Sequence, residues 1–447
     1  MSSTLVTPSA KSHERITGRW MRDIEVKTSK EWVIYYLKQM VGTPIPWLLW
    51  AFAALAFFTR AGIEIAAWLC ALLTMVYVFA DRFSKTREFT FFRVGSDFFL
   101  FGYLVVGFVG AFNSGAVPEG LATLGGVRWI LLLYLTAYCL ELFPGLNRLY
   151  FVMLTSAVAA AGYGIWQHFT GLDLIRGTEL AASPVDTFVY FTSTGFFSTP
   201  ELFATTLAMM IPFPAAAYLL NDHRDGAFKS SLAMLLVLFL SLSLMWTYRP
   251  GLWLAAIFSI FIVGILAAKK LFKLIVTTVV FVVAVVFLAY GGDPETMWTS
   301  VESAELVRAE NQRAQINTQV KLWQENMWVG VGYRARDAAN YDPGTGNVYF
   351  QVIAQSGVLG AAFYMLFLLG FLLSTYRVFQ EIPKTHYWHR VFVAGALGSQ
   401  IAFHAAGLYW STLAEAVALN LFILIIASVS YLTEHYNRGL VPDDHAL

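Results

Sequence analysis

The chain has 447 residues, of which 57% are hydrophobic, 16% aromatic and only 13% charged. Thirty basic residues against 29 acidic ones give a formal net charge of +1, and nucleic acid binding finds no support in that balance. Only Cys70 and Cys139 occur, each inside an apolar run, so there is no disulfide framework and no cysteine–histidine metal spacing; both read as small buried thiols.

Apolar runs of spanning length recur, with the charges gathered in short gaps. A span needs roughly 20 apolar residues, and in lipid a helix satisfies its own backbone. The expected fold is an all-α polytopic membrane protein with about twelve transmembrane helices. In chain order they fall at 44–59, 62–80, 94–112, 127–143, 149–168, 201–220, 230–247, 251–268, 271–290, 350–374, 391–408 and 412–432. Residues 1–43 form a polar, basic arm without an apolar core, so no cleavable signal peptide is expected; an amphipathic helix around Trp32–Met40 suits the inner leaflet. The transmembrane domain covers 44–432, and 433–447 form a tail.

Lysine and arginine collect in cytoplasmic loops. With both termini inside, 21 of the 30 basic residues lie on the inner side. Two outer segments then exceed hairpin length, 169–200 and 291–349, and long ordered loops beside a compact bundle are commonly functional.

The first outer segment carries Asp173, Arg176, Glu179 and Asp186, then runs through Gly195 and Phe196 to Pro200-Glu201. A proline and a carboxylate suit the start of a helix, and capping and substrate binding are both open there. Arg249 lies in Trp246-Thr247-Tyr248-Arg249-Pro250-Gly251, a tight reversal between two otherwise apolar helices. It reads either as an interfacial anchor beside Trp246 and Tyr248 or as a functional cation; the rigid Pro-Gly turn favours the second.

In the second outer segment, Glu302 to Glu325 lacks Pro and Gly and predicts an amphipathic helix with Leu306, Ile316, Val320 and Leu322 turned inward. Glu305–Arg308 and Glu310–Arg313 fall at i,i+3 spacing. For Arg308 and Arg313, surface pairing and anion binding remain equal alternatives. The segment ends in Gly344–Gly360, a glycine-rich approach running into an apolar helix. An arginine fork at headgroup depth suits phosphate, which it grips bidentately without losing its proton.

These residues, in this order, resemble the O-antigen ligase and polymerase superfamily of bacterial envelope glycan assembly. Gly162–Asp173 resembles the family's span ending in Gln and an aromatic followed by Gly-Leu-Asp. Gly195–Ala204 resembles its Gly-x-Phe-x-x-Pro-x-x-x-Ala helix start, and Thr247–Gly251 its substrate-binding arginine turn. Arg313, the Trp323–Asn326 helix and Gly330-Val331-Gly332 resemble an arginine preceding a Trp-rich helix and Gly-x-Gly. Asn347, nine intervening residues and Gly357-Val358-Leu359-Gly360 resemble the ligase motif, except that Gly346 stands where many members have histidine. The resemblance covers roughly 150–375 well.

The resemblance implies an inverting glycosyltransferase in the bacterial inner membrane with its active site facing the periplasm. It would need no cofactor and no metal, and the chain has no Asp-x-Asp cluster. The donor would be an undecaprenyl-diphosphate-linked glycan and the acceptor another lipid-linked glycan or lipid A-core. A chain-length regulator or flippase is a candidate partner. Arg249, with Arg313, Arg308 or Arg176, would hold the diphosphate, Asn347 would orient an oxygen, and Asp342, His168 or His404 would take the proton. Polymerase is preferred because the ligase histidine is missing. A multi-span transporter or flippase is the alternative of another class, although the spans show few midplane charges and no repeat symmetry.

Overall fold

The computed structural model describes residues 29–83, 96–113, 128–143, 145–180, 191–221, 227–266, 271–289, 294–332 and 346–438. Seven helices among them are long and apolar enough to cross a membrane: Arg60–Ala80, Leu146–Thr170, Pro200–Leu220, Phe228–Met245, Val348–Glu381, Tyr387–Tyr409 and Ala416–Asn437. Asp97–Phe112, Trp129–Leu142 and Pro250–Leu266 are apolar but shorter. The chain is therefore a multi-pass, all-α membrane protein. The spans expected over 44–59 and 271–290 correspond to helices Ile45–Leu55 and Leu271–Ala289.

Helix α1 (Ser29–Gly42) precedes α2 (Ile45–Leu55) and α3 (Arg60–Phe83). On α1 the side chains of Val33, Tyr36, Leu37 and Met40 are exposed along one stripe, the amphipathic pattern expected of the arm. Next come α4 (Asp97–Asn113), α5 (Arg128–Leu142) and α6 (Leu146–Thr170). The Cys70 and Cys139 sulfurs meet at 3.6 Å between α3 and α5, buried as the sequence suggests. Gly171, left-handed at φ 68°, caps α6 through its N–H on the Gln167 carbonyl. A two-residue hairpin follows, β1 (Leu172–Asp173) against β2 (Thr178–Glu179).

At the centre lies a rod formed by α7 (Pro200–Met210) and α8 (Pro212–Leu220), buried throughout the window that qualifies it as a span. Helices α9 (Ala227–Met245), α10 (Pro250–Leu266) and α11 (Leu271–Ala289) lead to α12 (Pro294–Glu325), which is polar overall and falls within residues 291–349. Its turns around 316–322 hold Ile316, Val320 and Leu322 half-buried, whereas Gln319 is fully buried. The last three helices are α13 (Val348–Glu381), α14 (Tyr387–Tyr409) and α15 (Ala416–Asn437). Small residues permit close approach where α14 meets the rod: a Cβ on Gly395 would stand 2.5 Å from the Phe213 ring and one on Gly398 2.6 Å from Pro212.

The long α13 is broken at Gly357 (φ 61°, ψ −168°), a conformation open essentially to glycine. A break in a buried stretch requires the freed backbone groups to find protein partners. They do. The Val331 N–H donates to the Ala354 carbonyl (3.1 Å), Val358 N–H to Met327 (2.9 Å) and Leu359 N–H to Trp328 (3.2 Å). The turn after α12 thus lies directly against the break.

Candidate active site

The Arg249 turn, Asn347 and part of α12 meet around the carboxyl end of one long helix, α14. The turn from α9 to α10 is the most constrained piece of this group. Thr247 donates through both N–H and Oγ1 to the Leu244 carbonyl, which also accepts from Trp253 Nε1 at 3.0 Å. Tyr248 follows with φ 52°, the one non-glycine residue in the left-handed region among the described residues. That conformation costs about 1–2 kcal/mol and is held by burial of Trp246, Thr247 and Tyr248. Arg249 then precedes Pro250, the first residue of α10, and its carbonyl accepts from Leu252 and Trp253.

The Arg249 side chain is directed by a carboxylate from another helix start. Its Nε donates to Glu201 Oε1 at 2.7 Å, and Nη1 reaches the Tyr248 carbonyl at 3.4 Å. A guanidinium-to-carboxylate bond is charge-assisted, and side-chain exposures of 15% for Arg249 and 19% for Glu201 leave it little screened by solvent. Glu201 belongs to the first turn of α7, whose positive dipole end favours its charge.

A second arm of the site is built on the carboxyl end of α14. Asn347 caps α13, its Oδ1 accepting from the Tyr349 N–H (2.8 Å), while its Nδ2 donates to the Leu408 carbonyl (2.8 Å). Gln312 of α12 donates to the carbonyls of Leu408 and Tyr409, both at 3.3 Å. Those amides neutralise the negative end of α14. Ser411 bonds Gln351, and Trp410 Nε1 donates to Thr205 Oγ1 of α7 at 2.9 Å. Tyr409 lies on Gly251, where an added Cβ would stand 2.0 Å from its ring. The Arg249 turn and Asn347 thus share one support, the segment Leu408–Trp410.

The other predicted residues are distributed around this core. His168 is fully buried, its Nδ1 2.8 Å from the Phe191 carbonyl and its ring stacked on Trp246 at 4.4 Å, directly behind the arginine turn. His404 is half-buried one turn inside the end of α14, edge-on to Phe422, and its carbonyl accepts from Tyr349 Oη. Arg176 is engaged by Asp173 at 2.7 Å within the hairpin, and Asp173 also accepts from Tyr163 Oη and two backbone N–H groups. Arg313 is exposed on α12 beside Gln312. The side chain of Arg308, and Asp342 entirely, lie outside the described residues.

Gly346 faces Gln319: a Cβ at that position would stand 2.5 Å from Gln319 Nε2. The buried amide of α12 is thus the nearest neighbour of that position, and its side chain would have to shift for any residue larger than glycine. Sequence reasoning left Glu201 open between helix capping and substrate binding, without a partner, and passed over Gln312, Gln319 and Gln351. Glu201 could have been found only by pairing two proline-marked helix starts, which place Glu201 and Arg249 48 residues apart.

No curated protein matches the chain. Residues 235–365 match the sequence model of a family described as O-Antigen ligase, a stretch that contains the Arg249 turn, α12, both glycine segments and Asn347. The match supports a glycosyltransferase-like enzyme of the O-antigen ligase or polymerase type in general, and with it lipid-linked glycan substrates as a class. That match, narrower than the resemblance read from the motifs, supports the O-antigen ligase and polymerase superfamily over residues 235–365.

Proposed function

We propose that the protein polymerises repeat units of an O-antigen or exopolysaccharide carried on undecaprenyl diphosphate, at the periplasmic face of the inner membrane. In this reading an acceptor sugar hydroxyl attacks the anomeric carbon of the donor glycan with inversion. The bond from that carbon to the diphosphate oxygen breaks, and undecaprenyl diphosphate leaves with the bonding electrons. Charge gathers on the departing phosphate, and a fixed guanidinium stabilises it most as the bond breaks. The proton goes to Asp342, His168 or His404. No divalent ion is called for in this scheme.

The observation that carries the reading is Arg249 itself: held at 2.7 Å by Glu201, in a turn whose backbone is fixed by Leu244 and braced on Tyr409. A mere interfacial anchor needs no such fixing. Arg313, exposed one residue from Gln312, supplies a second cation that an incoming anion could recruit. Asn347, bonded through both ends of its amide, serves chiefly to position the end of α14. Polymerase is preferred to ligase because Gly346 stands where the ligase motif carries histidine. The ligase reading, transfer to lipid A-core, follows instead from the description of the matched family.

Purified protein in proteoliposomes, given a lipid-linked repeat unit, tests this. New glycosidic bonds between repeat units are expected, with activity persisting in excess chelator. Transfer only to lipid A-core would establish the ligase. Translocation without bond formation would establish a flippase and overturn the enzyme reading.

A further inference from the structure

We infer that Glu201 is a positioning residue for Arg249: it grips the guanidinium by its Nε edge and so aims the Nη edge at an incoming diphosphate. The inference rests on the reading of Arg249 as the diphosphate-binding group. Three observations carry it. The carboxylate meets the guanidinium through Nε at 2.7 Å, and the nearest other acceptor is the Tyr248 carbonyl, 3.4 Å from Nη1. Nη2 has no acceptor among the described residues, so the terminal edge of the fork is the one left for a ligand. Two oxygens of a phosphate match that edge.

Glu201 is also carried by the most buried of the candidate spans among the described residues. The residues that follow it on α7, Leu202 to Met210, are all buried, and Thr205 is pinned by Trp410. Arg249 leaves a turn of equally restricted backbone. A flexible side chain with several rotatable bonds is thereby given one direction before any ligand arrives, which lowers the entropy lost on binding. In charge alone Glu201 opposes an anion. Its contribution is therefore geometric, and its removal has opposite signs under the two accounts: weaker binding if it positions Arg249, tighter binding if it only competes with the ligand.

Binding of undecaprenyl diphosphate to the full-length protein in lipid nanodiscs decides between them. Glu201→Ala is expected to weaken binding by about 10- to 100-fold, the range for losing a bond to a charged group. Glu201→Gln keeps an oxygen that accepts from Nε and is expected to lose roughly threefold. Because the effect runs through the fork, Glu201→Ala in the Arg249→Lys background is expected to add less than about twofold. A merely structural carboxylate would not give that non-additivity. Additive losses, or tighter binding in either Glu201 variant, overturn the inference. If Glu201→Ala does not fold, Glu201→Gln with and without Arg249→Lys reads the same coupling. Binding unchanged by Arg249→Lys would remove the underlying reading of Arg249. Binding lost in Arg249→Lys but unchanged in Glu201→Ala would remove only the role of Glu201.

Discussion

The turn at Trp246–Gly251 and the junction between Gly330 and Gly357 contrast in what their atoms contribute. At the turn, a left-handed tyrosine and a proline hold the chain so that one side chain, Arg249, points at Glu201. At the junction the side chains are absent by necessity. A Cβ on Gly357 would stand 2.3 Å from the Trp328 carbonyl, and one on Gly330 2.5 Å from the backbone of Gln355. The two glycine segments therefore form one backbone contact, sealed by three N–H to carbonyl bonds. Motifs of similar prominence thus serve different ends: Thr247–Gly251 presents a chemical group, whereas Gly-x-Gly and Gly-x-x-Gly provide clearance. Substitutions at the junction should damage stability first and activity as a consequence; substitutions at Arg249 should do the reverse.

The largest effect on stability should come from Gly357→Ala. The methyl group meets backbone that cannot yield as a side chain would, and the left-handed conformation adds strain, together at least about 2 kcal/mol. Thermal unfolding in detergent should show a markedly lower midpoint, with activity lost in parallel; a wild-type midpoint would mean that the break is not needed. Asn347→Ala should rank next. It removes a helix cap and the bond to Leu408, a loss of roughly 2 kcal/mol, and the same unfolding measurement would contradict the pin if the midpoint stayed unchanged. Gln312→Ala should be the mildest, within about 1 kcal/mol, since its two bonds at 3.3 Å are partly exposed. A larger loss than at Asn347 would shift the anchor of α14 from α13 to α12.

Much of this end of the bundle was legible in the chain. Arg249 stood out because a cation beside the hydrocarbon is costly without a partner, and the long helix of the second outer segment followed from its lack of Pro and Gly. The partner itself was not legible, because Glu201 lies 48 residues away and looks like any acidic helix start. His168 differs in kind. As a residue type it suggests proton transfer, yet the ring lies buried against Trp246 with Nδ1 at the Phe191 carbonyl, surroundings that only the tertiary structure reveals. The glycine segments were readable as markers of a family but not as two halves of one contact, since clearance between backbones leaves no periodicity. Glutamines of α12 were passed over for the same kind of reason: the aliphatic pattern directed attention to Ile316, Val320 and Leu322, while Gln319 fills the space beside Gly346.

The central claim is that Arg249 acts through the shape of its fork and not through charge alone. Arg249→Lys, assayed with a lipid-linked repeat unit in proteoliposomes alongside its unfolding midpoint, tests it most directly. The account predicts a stability within about 1 kcal/mol of wild type and a loss of activity of at least about tenfold. Near-normal activity with the lysine would contradict it and leave Arg249 as an anchor at the membrane surface.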